Sequence, residues 1–121
     1  MIGHNGLGFT FGGFGQASWA GSNDYATEAA GDFLFRLGPG AGPVAYRPTG
    51  HNTAYQRRTP AYWPIWGSNG DLVFGAYGAL GQGIYAQCNQ GTTYAGEDND
   101  ACGGARNWGA TEMEVWYRVG S

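Results

Sequence analysis

Glu112 and Glu114 stand two apart in a stretch that alternates like a β-strand, which projects both carboxylates from one face about 7 Å apart. A general acid and base could work from such a pair. The same face also carries Arg118, and a strand face of mixed charge more simply meets water or an arginine across the sheet. Nucleophilic catalysis would need Ser, Thr or Cys beside His4 or His51, and no strand-turn-helix elbow frames any serine. Asp98, Asp100 and Gly103 take the first, third and sixth positions of a calcium loop, but the twelfth is Gly109 where a bidentate glutamate is required. Asp98 and Asp100 are therefore weak metal candidates in what reads as a solvated turn. The glycine-rich run from Gly8 to Gly13 is followed by neither a helix nor Lys-Ser/Thr, which argues against a phosphate loop.

Cys88 and Cys102 are the only cysteines. A disulfide between them would close a loop of about 14 residues and contribute on the order of 3 kcal/mol; two buried thiols fit the sequence equally well. Zinc does not, because His4 and His51 lie far from a cysteine pair that itself lacks the close spacing of structural sites. No acid/base or nucleophile constellation stands out, so the expectation is a protein that is not an enzyme and needs no cofactor.

The strongest functional signal is aromatic. Tyr55, Tyr62, Trp63 and Trp66 crowd the proline-rich middle of the chain beside Arg57 and Arg58, and Tyr, Trp and Arg are the side chains that anchor interfaces. These six residues, with Trp116 on the closing strand, are the candidate partner-binding set. The competing reading is that the same rings fill a core, since a chain with 24 glycines needs large side chains to occupy the space they leave. If exposed, such a patch would bind a protein neighbour or stack on sugar rings.

Composition narrows the partners. Only 12% of the 121 residues are charged, the net charge is −3, and all six basic residues are arginine. One basic pair is too little to neutralise a run of phosphates, so nucleic acid is not expected. No apolar run approaches the roughly 20 residues of a membrane span, so membrane insertion is not expected either. The opening Met1-Ile2-Gly3-His4-Asn5 lacks the charged and apolar regions of a signal peptide.

The elements that must position these residues are strands. Glycine or proline interrupts nearly every window long enough for three helical turns. Leu7 to Phe14 alternates bulky and small residues, with glycine where another layer approaches. Phe33 to Leu37 places Phe33, Phe35 and Leu37 on one face, while Asn23 to Ala30 before it reads as a loop. Asn69-Gly70 supplies a type I′ hairpin turn. Leu72 to Tyr77, Gly83 to Cys88 and Thr92 to Ala95 read as further strands. In the last, Glu112 to Val119, Met113 and Val115 share one face with Tyr117 and Val119, opposite Glu112, Glu114, Trp116 and Arg118. Short strands separated by turns predict an all-β, antiparallel two-sheet sandwich of one domain over 1–121, with little helix.

The order of these pieces resembles the TLDc domain, a β-sandwich of eukaryotic oxidation-resistance proteins with many divergent copies in protists. Phe11-Gly12-Gly13-Phe14 with Ser18-Trp19 resembles its opening strand, and Asp32-Phe33-Leu34-Phe35-Arg36-Leu37 its Phe-Leu-Phe strand. Asp71-Leu72-Val73-Phe74-Gly75, running on to Gly83-Ile84-Tyr85, resembles its central hairpin, and Glu112-Met113-Glu114-Val115-Trp116 its closing Glu-Val-Trp strand. The resemblance implies a noncatalytic interaction domain; some relatives associate with the vacuolar proton pump and protect against oxidative stress. Two departures accompany it. The opening motif begins within a dozen residues of Met1, where the family has a further segment of helix and strand, so the expectation is a truncated domain or one completed by another chain. Gly31 stands where the family usually has an acidic residue, with Asp32 one place later, which puts a carried-over carboxylate role in doubt. The resulting expectation is a domain that binds a partner chain. The alternatives are a building block of a filament, capsid or ciliary-type assembly, and a carbohydrate-binding module.

Overall fold

A computed structural model describes residues 1–5, 8–17, 24–26, 31–38, 42–50, 55–58, 64–67, 70–76, 79–80, 87–97, 99–104, 106 and 108–115. The first sheet contains β1 (Ile2–Asn5), β2 (Thr10–Phe14), β4 (Phe33–Gly38), β5 (Val44–Tyr46) and β12 (Ala110–Glu114), in the order β12-β1-β2-β4-β5. The second contains β3 (Asp24–Ala26), β6 (Gln56–Arg58), β7 (Ile65–Trp66), β8 (Leu72–Val73) and β11 (Gln87–Cys88), in the order β11-β8-β7-β6-β3. β9 (Gly75–Ala76) and β10 (Ala79–Leu80) form a separate short pair, and a 3₁₀ turn spans Asp100–Cys102. Every strand pairing is antiparallel. The chain is an all-β, two-sheet structure, as its period-two patterning predicts.

Burial explains why these residues make these strands. Phe11 and Gly13 of β2 face inward, as do Leu34 of β4 and Tyr46 of β5, against Trp66, Leu72 and Cys88 from the second sheet and Phe74 just past β8. Gly13 has a steric reason: a Cβ there would run into the Trp66 indole. The Trp66 Nε1–H donates to the Phe14 carbonyl at 3.1 Å, so one side chain both fills the space over β2 and hydrogen-bonds to it. Phe74 and Trp108 complete the aromatic core edge to face, with centroids 5.3 Å apart, a geometry that the ring quadrupoles favour. A small second cluster joins Ala26 and Tyr55 with Ala17.

β7 and β8 form an antiparallel hairpin whose last pair is Trp66 with Leu72, so the connection is longer than the two-residue type I′ turn expected at Asn69-Gly70. Gly67 at φ +87° and Gly70 at φ +68° take values that suit glycine, and Asn69 lies outside the described residues. Cys88 and Cys102 are joined by a disulfide between fully buried residues, Cα atoms 6.3 Å apart, which ties β11 to the 3₁₀ turn.

Four details depart from the sequence reading. The strand expected from Leu72 to Tyr77 divides at Phe74 into β8, which pairs with β7 and β11, and β9, which pairs with β10. The segment expected to be a loop before β4 contributes β3, a three-residue edge strand held by pairing with Gln56–Arg58 rather than by any alternation of its own. The expected strand from Thr92 to Ala95 reduces to one isolated bridge, Pro48 to Tyr94. Its amides are taken elsewhere: the buried Asp71 carboxylate accepts the N–H groups of Thr93 and Tyr94, each at 3.0 Å to Oδ2. The closing strand runs over Ala110–Glu114, and residues 116–121 lie outside the described residues.

Asp32 is a buried carboxylate of a different kind. It is fully enclosed, Oδ1 accepts the Gln16 N–H at 2.7 Å, and Oδ2 has no hydrogen-bond partner. Burial pushes its pKa from the ordinary 3.8 up to about 6, against the pull of the Gln16 bond. Between those values the folded chain keeps a proton that the unfolded chain has lost, so stability is greatest at low pH and falls as pH rises through this window. The expected loss is about 2 to 3 kcal/mol. Urea unfolding of the wild type and Asp32→Asn at pH 4, 5, 6 and 7 should show their free-energy difference changing across the window. A constant offset between the two would show that Asp32 titrates as it does in the unfolded chain.

Candidate functional site

The exposed large apolar side chains among the described residues are Phe14 and Leu37 on the outer face of the first sheet and Val115 just past β12. Strand alternation sets the composition of that face. Because Phe11, Gly13 and Leu34 turn inward, Gly12 and Phe14 of β2 and Phe33, Phe35 and Leu37 of β4 turn outward. Phe14 is 46% exposed and Leu37 47%. Phe14 and Phe33, directly paired across the strands, stack with centroids 5.3 Å apart at an interplanar angle of 27°, and Phe35 lies 6.2 Å beyond Phe33. Gly12 lets this face lie flat: a Cβ there would meet the Phe35 ring and the Met1 carbonyl. Arg47, just past β5, places its guanidinium 4.7 Å from the centroid of Phe33, a cation-π contact at one margin of the patch.

The opposite margin is acidic. Met113 packs toward the core beside Gly3, so its neighbours Glu112 and Glu114 face outward with Ile2 and His4. The partner of Glu114 is His4, whose Nε2 lies 3.1 Å from Oε2 while Nδ1 lies 3.0 Å from the Thr10 hydroxyl. The two glutamates thus belong to a surface network at the edge of a sheet. The outer face runs from carboxylates on β12, across Ile2 and the phenylalanines, to a guanidinium beside β5.

A second polar grouping lies at one end of the sandwich. An open cleft of about 490 Å³ is lined by Phe9, Arg36, Glu97, Asp100, Gly103 and Gly104. Asp100 accepts the Tyr46 hydroxyl and lies 3.4 Å from the Arg36 guanidinium, which itself sits 5.9 Å from the Phe9 centroid. Burial, with Asp100 next in weight, pushes the Tyr46 phenol up from its usual pKa. These groups are turned on one another and tie β4 and β5 to the 3₁₀ turn.

The candidates drawn from the sequence are placed as follows. Trp66 is 1% exposed and Tyr55 7%, so neither ring belongs to a surface. Trp66 is drawn inward by the gap over Gly13, and the Tyr55 main chain bonds to Ala26, Gly67 and the Tyr94 hydroxyl. The backbones of Arg57 and Arg58 lie in β6, paired with Tyr25 and Asp24. Tyr62, Trp63 and Trp116 lie outside the described residues, as does Asp98. Asp100 serves the Tyr46 and Arg36 network, and Cys88 and Cys102 form the disulfide. Among the described residues no group of three or more His, Cys, Asp or Glu is placed to hold a metal ion, and no helix is long and apolar enough to cross a membrane.

The patch that does reach the surface, Phe14, Phe33, Phe35 and Leu37 with Arg47, was absent from the candidate set. Its signal in the sequence is the Phe33-Leu34-Phe35 run of β4, which carries large apolar side chains on both faces and so cannot hide all of them in one core. No family model, curated protein or solved structure matches this chain.

Proposed function

We propose that this chain is a noncatalytic, TLDc-like interaction domain that binds a partner chain through the outer face of its first sheet. The observation that carries this reading is the stacked Phe14-Phe33 pair with Phe35 and Leu37 on the outer face of the first sheet, where Phe14 and Leu37 are each nearly half exposed. Contiguous exposed apolar surface rimmed by charge is the usual mark of a docking site. Support for the family side is that the described parts of the four motifs fall on strands, β2, β4, β8 and β12, while Ser18-Trp19, Gly83-Ile84-Tyr85 and Trp116 lie outside the described residues. Neither buried Trp66 nor buried Tyr55 is available to a sugar platform, so the protein-binding reading is the stronger.

A photo-crosslinking side chain at position 37 tests it in the native source. Adducts should form with another protein chain at this position and not at Thr92, which is exposed in the turn after β11. No adduct from position 37, or equal labelling from both, would refute the reading.

A further inference from the structure

The charge asymmetry of the outer face identifies a partner that fits it, and the inference rests on the interaction reading just given. We infer that the partner is a second copy of this chain, packed sheet against sheet about a two-fold axis running along β2. The order β12-β1-β2-β4-β5 makes β2 the central strand. A rotation about that strand therefore lays β12 of one copy over β5 of the other and β1 over β4. Glu114, in the row of Ile2, Gly12, Phe35 and Ala45, then comes over Ala45 of the other copy, two residues along the chain from Arg47, and the same approach recurs at the opposite side, while Glu112 lies farther along the strand.

The interior of the contact matches in the same way. Ile2, Gly12, Phe35 and Ala45 lie in one cross-strand row, so Ile2 of each copy meets Phe35 of the other, and the Phe35 rings, which lie over Gly12, come together beside the axis. Sheets pack about 10 Å apart, a gap that an arginine and a glutamate reaching from opposite sides can span. A head-to-head packing about an axis across the strands would instead set β12 over β12 and oppose carboxylates with carboxylates. The two-fold along β2 is the arrangement in which the charges attract.

Five strands at about 4.8 Å spacing make a face roughly 20 Å wide. With strands about 17 Å long at roughly 3.3 Å per residue, the face offers roughly 350 Å², less than the roughly 800 Å² per partner of a standard stable interface, so the dimer should be weak, with a Kd in the micromolar-to-millimolar range.

Sedimentation velocity on the purified chain from about 10 μM to 1 mM should therefore show concentration-dependent dimerisation. Arg47→Glu should weaken it about tenfold or more, as should Glu114→Arg, since each sets like charges against each other twice per dimer. The double variant Arg47→Glu/Glu114→Arg exchanges the two signs and should restore association toward the wild-type value. Near-UV circular dichroism on each variant confirms that the core aromatics stay packed. A wild type that remains monomeric up to 1 mM, or a double variant as weak as the singles, overturns the second-copy inference. That failure is separable from failure of the interaction reading, because adducts at position 37 with a different chain would leave the latter standing.

Discussion

Trp66→Ala should cost about 3 to 5 kcal/mol of unfolding free energy, the range for removing a large buried aromatic. Trp66 belongs to β7 in the second sheet, yet its indole fills the space over Gly13 of β2 and its N–H ends on the Phe14 carbonyl. Deleting the ring opens a cavity between the layers and leaves that carbonyl without its donor. Trp66→Phe keeps most of the apolar contact with Phe74, 5.7 Å away between centroids, and should cost distinctly less. Chemical denaturation of both variants measures the difference. The experiment also guards against a misreading of function: loss of partner binding in Trp66→Ala would follow from damage to the core. Phe14→Ser is the informative counterpart, since it removes an exposed ring that is half open to solvent. A Trp66→Ala protein within about 1 kcal/mol of wild type would mean the indole does not hold the sheets together.

Asp71→Ala should be the second large loss, at about 2 to 5 kcal/mol. The carboxylate is fully buried at the β7-β8 turn and accepts the amides of Thr93 and Tyr94. Burial raises its pKa, while the amide bonds oppose the rise. Alanine leaves two buried N–H groups without an acceptor, and each costs about 1 to 3 kcal/mol. Asp71→Asn retains one acceptor oxygen and should fall between alanine and wild type. Hydrogen exchange gives the decisive readout, because protection at the Thr93 and Tyr94 amides should drop in Asp71→Ala by more than the global loss of stability accounts for. Unchanged relative protection at those two amides would show that the carboxylate is not what holds this loop.

Both predictions turn on contacts between residues distant in the chain, and that marks the boundary of what the sequence determined. The all-β class, the two sheets and the place of the β7-β8 turn are legible in it because they rest on local properties: period-two alternation, interruption by glycine and proline, and the positive φ of glycine at a turn. The grouping of Phe33, Phe35 and Leu37 on one face is local in the same sense. Which face of β4 points inward is not, because Leu34 on the other side is just as apolar. Packing decides it: Gly13 beside Leu34 leaves room for Trp66, so Leu34 is covered and the phenylalanines turn out.

The same contact moved Trp66 and Tyr55 from the candidate surface to the interior, since aromatic content says nothing about burial when both readings use the same side chains. Asp71 shows the converse. In sequence it is an ordinary turn residue, and only folding brings Thr93 and Tyr94 to it, so that a carboxylate replaces the strand partner those amides would otherwise need. The sequence determined that Glu112 and Glu114 share a strand face. The tertiary structure placed that face at one margin of a sheet with Arg47 at the other, because strand order is set by pairing between distant segments and not by the spacing of residues along the chain.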